Sequence, residues 1–224
     1  HVPTQTRTVL SVDMLFPDDL PAALSHVRWI GGGSGAGKST VARRLADARG
    51  AVVYDTDAVM PNHADRCPRD QCPKLASFIA MTPDERWVTR APREMLETFH
   101  WFAGEGFDLI VEDLIALPRD RPVIAEGFRL LPRLVAPLLT DRRNAVGLLP
   151  TPAFRRRAFD TRGTTWDIPQ RTSNPDVALA NMMARDALFT ENVRGEATAL
   201  GLHACEVDGA LDEDALLARI RDRL

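Results

Sequence analysis

Cysteine, long apolar runs and excess basic charge are all scarce in this chain, and each scarcity argues against a class of protein. Three cysteines in 224 residues are an odd number and few for this length, so we expect no disulfides and a core that folds without them. No apolar run approaches the length that crosses a bilayer, and the first 25 residues lack the pattern of a cleaved secretory signal. The sequence therefore predicts a cytoplasmic protein without a membrane partner.

The charge balance argues against a general nucleic-acid binder. The chain has 28 lysine and arginine residues against 31 aspartate and glutamate residues, a formal net charge of -3, so any basic site must be local. No internal repeat or low-complexity tract is present. The length fits one compact domain with insertions, and we expect a monomer or a homodimer without nucleic-acid partners.

What the sequence does contain is a phosphate-binding loop. Residues 32–39 read GGSGAGKS and match the Walker A pattern G-x-x-x-x-G-K-[ST] at every fixed position. In such a loop backbone N–H groups surround a polyphosphate, Lys38 reaches the outer phosphates and the hydroxyl of Ser39 binds Mg²⁺. We therefore predict binding of ATP or GTP, with the choice between them left open. The residues expected to bind the nucleotide are Gly33, Ser34, Gly35, Ala36, Gly37, Lys38, Ser39 and Thr40.

Short apolar runs alternate with helical patterns along the rest of the chain. The patterns predict strands over 27–30, 51–55, 122–127, 145–149 and 202–208, and helices over 38–48, 83–104, 105–117 and 174–200. This alternation is typical of a parallel sheet covered by helices on both faces. Residues 58–120 are too many for a simple crossover, and we interpret them as a helical substrate-binding insertion. Residues 1–25 are interpreted as an extension, and residues 26–224 as the domain itself.

Carboxylates follow two of the predicted strands. Asp55 and Asp57 come directly after the second strand, and Glu126 ends the third. Phosphoryl transfer needs one carboxylate near Mg²⁺ and another that holds or deprotonates the attacking hydroxyl, and the aspartate pair could divide these tasks. Alternatively, one of the two only caps the next helix. Glu126 is expected to hold Mg²⁺ or orient the acceptor, and Gly127 to let the acceptor approach the backbone closely.

Arginines concentrate after the fourth predicted strand. We interpret residues 151–174 as an arginine-bearing lid, with Arg155 and Arg162 as catalytic candidates, because charge on the transferred phosphoryl group calls for arginines that close over it. Arg129 is predicted to contact an anionic group of the acceptor, with a surface salt bridge as the alternative. Arg185 is expected to fold back toward the phosphates, and Asp208, at the end of the last strand, to lie near the nucleotide base.

A second group of residues invites a metal interpretation. His63, Cys67 and Cys72 have a spacing that matches no common zinc pattern, so packing within a loop is the preferred interpretation and a metal site is left open. Trp87, Phe99, Trp101 and Phe102 recur at roughly helical spacing and are expected in the core or in a pocket wall.

These features together resemble the P-loop kinases of small molecules and nucleoside monophosphates, and within them shikimate kinase. The matching stretches are 32–40, 55–57, 155–162, 185–189 and 207–208. The resemblance implies an α/β P-loop NTPase three-layer sandwich with a five-stranded parallel sheet of order 2-3-1-4-5. It implies that Asp55 serves Mg²⁺ with Ser39 and Glu126, that Asp57 serves the acceptor hydroxyl, and that Arg185 binds an anionic group of the acceptor or the phosphates.

The chain departs from shikimate kinases where they carry a run of glycines. Here the sequence is Glu126-Gly127-Phe128, an acid–glycine pair that is more similar to uridine, gluconate or antibiotic-modifying phosphotransferases. The leading hypothesis is a Mg²⁺-dependent kinase that moves the terminal phosphoryl group of ATP to a hydroxyl of a small metabolite. A nucleoside or nucleotide kinase is the second hypothesis, and it predicts base stacking by Phe99, Trp101 or Phe128. The third is a regulatory module that binds ATP and transfers nothing.

Overall fold

A computed structural model of the chain describes residues 19–162, 167–221 and 224. The strands are β1 (Val27–Gly32), β2 (Val52–Asp55), β3 (Val123–Glu126), β4 (Ala145–Pro150) and β5 (His203–Val207). The helices are α1 (Leu20–Ala23), α2 (Lys38–Arg49), α3 (Met60–Arg66), α4 (Pro73–Ala80), α5 (Pro83–Trp87), α6 (Pro92–Thr98), α7 (His100–Ala103), α8 (Phe107–Ala116), α9 (Pro132–Val135), α10 (Pro152–Arg162), α11 (Pro175–Leu200) and α12 (Glu213–Arg221). Short 3₁₀ helices cover Ala136–Leu138, Arg142–Asn144 and Pro169–Arg171.

The sheet confirms the predicted fold class. Its five strands are ordered β2-β3-β1-β4-β5, and every neighbouring pair is parallel. All strands therefore deliver their carboxyl ends to one edge, where open α/β sheets bind ligands. In the register of β2 and β3, Asp55 lies opposite Glu126.

Alternate side chains of the central strand supply two separate cores. Val27 and Trp29 of β1 pack with Ile110 and Leu114 of α8 on one face of the sheet. On the other face, Ile30 packs in a cluster that includes side chains of α2 and α12. Because successive side chains of a strand point to opposite faces, this apolar strand needs helices on both sides. The three layers follow from that requirement.

The predicted helix over 83–104 is wrong in extent. Three short helices, α5, α6 and α7, occupy this stretch. The expected capping box is present, with Thr82 and Glu85 bonded reciprocally at the start of α5. Ala91, which precedes Pro92, is extended with ψ of 147°, as expected for a residue before proline. The break turns the aromatic residues of this region toward one another rather than along one helix.

The expectation that the chain has no disulfide is also wrong. Cys67 and Cys72 are joined, with a sequence separation of 5 and Cα atoms 6.2 Å apart. The amide of Cys72 donates to the Pro68 carbonyl, and this turn brings the two residues together between α3 and α4. Both cysteines pack in an apolar cluster with Leu75 and Leu109.

None of the helices that the structure describes combines the length and the apolar character of a membrane-spanning segment.

Candidate active site

The phosphate loop connects β1 to α2 and depends on glycine conformations that other residues avoid. Gly35 and Gly37 have φ angles of 78° and 79°, in the left-handed region that glycine adopts without steric cost. Gly37 is the residue that caps the N-terminus of α2. The loop therefore ends at the positive end of a helix, where backbone N–H groups favour an anion.

Arg155 and Thr190 support the loop from behind. Arg155 is 1% exposed, and it donates from Nε to the Ser34 carbonyl at 3.3 Å and from Nη2 to the Thr190 hydroxyl. Burial lowers its pKa. A Cβ atom on Gly33 would lie 2.6 Å from the Thr190 hydroxyl oxygen, so a larger residue would displace this support. The arginine that the sequence predicts to be mobile and catalytic is thus a buried support of the loop.

Lys38, in the first turn of α2, lies inside the curve of the loop. Its side chain is buried, and Nζ donates to the Gly33 carbonyl at 2.8 Å. Its positive charge favours the ionised forms of Asp57 and Glu126 and so lowers their pKa values against the effect of burial. Lys38 therefore links the phosphate loop to the carboxylates at the same edge of the sheet. Thr40 lies in the same helical turn.

Three acidic side chains gather beside the loop at the ends of β2 and β3. Glu126 is 2% exposed, and its pKa is raised by burial and by the charges of Asp55 and Asp57. The nearby Ser39 hydroxyl acts in the other direction and lowers the pKa of Glu126. Ser39, Asp55 and Glu126 thus place oxygen donors, the ligand type that Mg²⁺ prefers, at one edge of the sheet.

The same residues would not enclose a cation completely. Within the described part of the chain no group of three or more histidine, cysteine, aspartate or glutamate side chains could hold a metal ion. Asp55 also uses Oδ1 to accept the amides of Asp57 at 2.8 Å and Ala58 at 3.2 Å, but the residue that caps the next helix is Val59, without a side-chain bond. Mg²⁺ commonly completes its octahedral shell with water and substrate phosphates, so this partial donor set is compatible with it.

Asp57 is the acidic side chain that faces outward. It lines a cavity together with the loop residues 34–39, and loss of contact with water, the largest contribution, raises its pKa. The next contribution in size is the charge of Lys38, which lowers the pKa. A carboxylate with a raised pKa at the junction of loop and cavity is suited to accept a proton from an acceptor hydroxyl. The geometry of Asp57 is compatible with the predicted role.

The cavity has a volume of about 410 Å³, and its lining includes six aromatic side chains, five of them from the insertion. The aromatic lining residues are Phe78, Trp87, Phe99, Trp101, Phe102 and Phe128. Several of these rings meet edge to face, such as Phe78 with Trp87 at 5.6 Å and Phe99 with Phe102 at 4.8 Å between centroids. Such packing fixes the rings in place. The break of the predicted long helix into α5, α6 and α7 is what assembles this wall.

Arg185 enters the cavity from α11 and is held firmly. Its Nε and Nη2 atoms donate to Asp186 Oδ1 at 3.0 and 2.7 Å. The guanidinium carbon lies 5.1 Å from the Trp87 ring centroid, 4.9 Å from that of Phe99 and 5.1 Å from that of Phe102. The sequence placed Arg185 near the acceptor or the phosphates, and the structure brings it to the same cavity as Asp57.

Arg129 lies behind the cavity wall. Its guanidinium stacks on Trp101 at 4.0 Å and donates to the Gly106 carbonyl at 3.1 Å and the Thr56 carbonyl at 3.4 Å. A third bond joins it to His63 Nδ1 at 3.0 Å. Burial lowers the pKa of Arg129 to about 10. The predicted contact with the acceptor is therefore replaced by contacts that fix the Asp57 turn relative to Trp101.

His63 belongs to this buried network and not to a metal site. Its Nε2 atom bonds to Asp113 Oδ2 at 2.8 Å, and Asp113 also accepts from the Tyr54 hydroxyl at 2.8 Å. With both ring nitrogens bonded and the two cysteines joined to each other, the three residues considered for zinc are occupied by protein partners. The preferred interpretation of loop packing agrees with this arrangement.

Gly127 meets a neighbouring loop rather than a cavity. Its φ is 140°, and a Cβ atom there would overlap the Thr56 hydroxyl oxygen and lie 3.0 Å from Thr56 Cβ. The close approach that the sequence suggested does occur at this position, but the approaching group is Thr56. This contact fixes the turn that carries Asp57.

Two predicted site residues remain, Arg162 and Asp208. The side chain of Arg162 and residues 163–166, in the predicted lid, are outside the described residues, as are residues 1–18 of the predicted extension. Asp208 is exposed, and its carbonyl accepts from Arg157 Nη2 at 2.8 Å. Sequence reasoning missed Phe78, His100 and Met182 as cavity residues, because neither spacing nor a motif distinguishes them from core residues.

Comparisons with known proteins leave the family open. No protein-family model matches the sequence, and no protein of curated function matches it. Among solved structures, the deoxyadenosine kinase from M. mycoides with bound dCTP aligns with a TM-score of 0.44 at 13% identity, over 88% of this chain and 96% of that chain. A likeness at this level leaves the substrate open. The fold assignment rests on the strand order, the parallel register and the phosphate loop.

Proposed function

We propose that this protein is a Mg²⁺-dependent phosphotransferase that moves the terminal phosphoryl group of ATP to a hydroxyl of a nucleoside or nucleotide. The observation that carries the proposal is the aromatic cavity that opens directly onto the phosphate loop. The donor nucleotide would occupy the loop, and the acceptor would occupy the cavity. Asp57 lies at the junction of the two.

The composition of the cavity favours a flat aromatic group over a sugar acid or an aminoglycoside. Aromatic side chains stack on nucleobases whatever the base, with about 1–3 kcal/mol per base in single-stranded nucleic-acid complexes. A volume of about 410 Å³ lies within the range of small-molecule sites. A sugar-like acceptor presents many hydroxyl groups, each of which needs a polar partner when buried. The described lining offers few polar side chains beyond the loop, which makes the nucleoside class preferable to the general metabolite that the sequence favoured.

Each group at the sheet edge would have a defined task in this reaction. The loop and Lys38 would bind the donor phosphates and offset the charge that develops on them. Ser39, Asp55 and Glu126 would hold Mg²⁺, which supplies further charge neutralisation at the phosphates. Asp57 would orient the attacking hydroxyl and take its proton. Residues that bring the acceptor oxygen in line with the phosphoryl group contribute by positioning alone.

The proposal is tested by following ADP release from ATP and Mg²⁺ with a panel of nucleosides, nucleoside monophosphates, sugars, shikimate-like acids and aminoglycosides. We expect activity with at least one nucleoside or nucleotide, and a loss of roughly 100-fold or more with Asp57→Asn if it acts as the base. Asp65→Asn is the matched control, because Asp65 is an exposed carboxylate on α3. Activity confined to sugars or aminoglycosides would refute the nucleoside assignment. Tight ATP binding without turnover of any acceptor would favour the regulatory module instead.

A further inference from the structure

Four buried side-chain atoms have no hydrogen-bond partner among the described residues. Two of them belong to side chains that line the aromatic cavity. They are His100 Nδ1 and Arg185 Nη1. His100 is 3% exposed and Arg185 6% exposed, and both line the cavity. Buried polar atoms are nearly always bonded, because leaving one unpaired costs about 1–3 kcal/mol. Two unsatisfied atoms on side chains that line the same cavity therefore point to a ligand that satisfies them.

The charge of Arg185 is already balanced. Asp186 accepts two of its hydrogen bonds through one oxygen and is itself 1% exposed. Asp186 also lies close enough to Arg155 to affect its pKa, but Arg155 binds Ser34 on the loop side. Arg185 thus presents a directed N–H group rather than an unbalanced positive charge. The partner that suits it is an uncharged acceptor such as a carbonyl oxygen or a ring nitrogen.

His100 contributes an uncharged nitrogen. Its ring lies 5.0 Å from Phe78, 4.7 Å from Phe99 and 4.4 Å from Trp101 between centroids. Burial, followed by the charges of Arg129, Arg86 and Arg185, lowers its pKa to about 3. The imidazole is therefore neutral near pH 7, with one nitrogen that donates and one that accepts. Which nitrogen carries the proton is set by the ligand or by its neighbours.

A phosphorylated acceptor fits this cavity less well. Of the described residues that line it, the cations are Lys38 and Arg185. Lys38 lies on the loop, where the donor phosphates belong, and Arg185 is paired with Asp186. A second phosphate group would also approach the carboxylate of Asp57, which lines the same cavity. Moving a dianion from water into such surroundings is unfavourable.

We propose that His100 Nδ1 and Arg185 Nη1 together hydrogen-bond the base of an uncharged nucleoside, so that the cavity selects nucleosides over their 5′-monophosphates. This inference rests on the proposed function and narrows it to one class of acceptor. The six aromatic side chains of the lining supply stacking that is indifferent to the base. The two polar atoms add direction, because a site built to bond a polar group discriminates against ligands that lack it.

Binding can be measured separately from turnover. Trp87 and Trp101 line the cavity, so quenching of tryptophan fluorescence reports stacking of a base against them. The common ribonucleosides and deoxyribonucleosides, their 5′-monophosphates and free ribose serve as probes, each titrated without ATP. We expect at least one nucleoside to bind at least tenfold more tightly than its own monophosphate. A monophosphate that binds more tightly than its nucleoside in every pair would overturn the inference.

Variants of the polar pair complete the test. His100→Phe keeps a flat ring and removes both nitrogens, so we expect nucleoside affinity to fall roughly 3–10-fold. Arg185→Gln should lower it roughly 10–100-fold, because a bond from a charged donor is lost. ATP affinity should be unchanged in both variants. Arg194→Gln on the same helix is the control, since Arg194 pairs with Glu191 and Glu206 away from the cavity.

Failure of this inference can be told apart from failure of the proposed function. Nucleosides that bind through His100 and Arg185 but receive no phosphate would refute the phosphotransferase and leave the polar pair in place. Phosphate transfer to nucleosides, with nucleoside affinity unchanged in both variants, would support the phosphotransferase and refute base recognition by His100 and Arg185. Should Arg185→Gln not fold because Asp186 loses its partner, the double variant Arg185→Gln/Asp186→Asn removes both charges. Wild-type nucleoside affinity in that variant and in His100→Phe would overturn the inference.

Discussion

Replacing Gly127 with alanine should lower the stability of the fold and displace the carboxylate of Asp57. Gly127 has a φ of 140°, a region that costs a residue with a Cβ atom about 1–3 kcal/mol. The added Cβ atom would also overlap the hydroxyl of Thr56, and overpacking of this kind costs about 1–3 kcal/mol. The sum predicts that Gly127→Ala lowers the free energy of unfolding by about 2–6 kcal/mol. Because Thr56 precedes Asp57, relief of the overlap would move the turn that carries the proposed base.

The two contributions can be separated by a second substitution. Thr56→Ala removes the overlapping oxygen, although Thr56 Cβ would still lie 3.0 Å from the new atom. The double variant Thr56→Ala/Gly127→Ala should therefore recover part of the stability and retain the backbone cost of about 1–3 kcal/mol. Urea denaturation measures each free energy of unfolding. Gly195→Ala is the control, because nothing lies within 4 Å of a Cβ there and alanine should stabilise the helix by about 0.5–1 kcal/mol. A Gly127→Ala protein within 0.5 kcal/mol of wild type, or a double variant no more stable than the single one, would refute the reasoning.

Three further predictions concern the phosphate loop, the proposed general base Asp57 and the disulfide of the insertion. Arg155→Met removes the hydrogen bonds to Ser34 and Thr190, so it should raise the KM for ATP and destabilise the fold by about 1–3 kcal/mol. Steady-state kinetics measures the KM, and denaturation measures the stability. An unchanged KM would argue against a role of Arg155 in supporting the loop. Burial raises the pKa of Asp57 above its ordinary 3.8. Because a general base acts when deprotonated, kcat/KM for the acceptor should rise as the pH rises through that raised pKa and should be low below it. Asp57→Asn should lack this limb of the pH profile, and a limb retained in the variant would exclude Asp57 as its source. The double variant Cys67→Ser/Cys72→Ser removes the disulfide that closes a short loop. Under oxidising conditions it should lower the free energy of unfolding by about 2 kcal/mol by the chain-entropy estimate. A reductant should make the stabilities of wild type and variant equal, and equal stabilities without reductant would contradict the estimate.

The sheet could be predicted because its signals are local and repeated. The apolar runs of β1, β3 and β4 need burial on both faces, and the glycine pattern at residues 32–39 admits one connection between a strand and a helix. The strand order came from the resemblance to P-loop kinases and is confirmed. The helix over 83–104 could not be placed correctly, because helical spacing of aromatic residues outweighed Pro92, the signal that ends the first segment.

The positions of the arginine side chains were harder to predict than those of the carboxylates, because arginine has the longer side chain. An aspartate or glutamate at the end of a strand is short, so its position at the sheet edge determines what it can touch. Arginine has a long side chain that can turn into the protein, and its planar fork can bond several carbonyl oxygens at once. Arg129 bonds the Thr56 and Gly106 carbonyls and His63, while Arg155 turns beneath the loop. Neither direction follows from spacing along the chain.

The preferred acceptor changes from a general metabolite to a nucleoside for the same reason: spacing along the chain does not show where side chains meet. The sequence places Asp57 and Glu126 at the carboxyl edge of the sheet but does not show which side chains of the insertion surround the space beside them. Phe78 and His100 come from α4 and α7, and Met182 and Arg185 from α11, so the cavity exists only after these helices pack together. A wall of aromatic rings with a neutral histidine and a paired arginine recognises a base better than a sugar, because stacking needs faces and hydroxyl groups need partners. The phosphate loop explains the donor half of the proposed reaction, whereas selection of the acceptor depends on the packing of the insertion against α11.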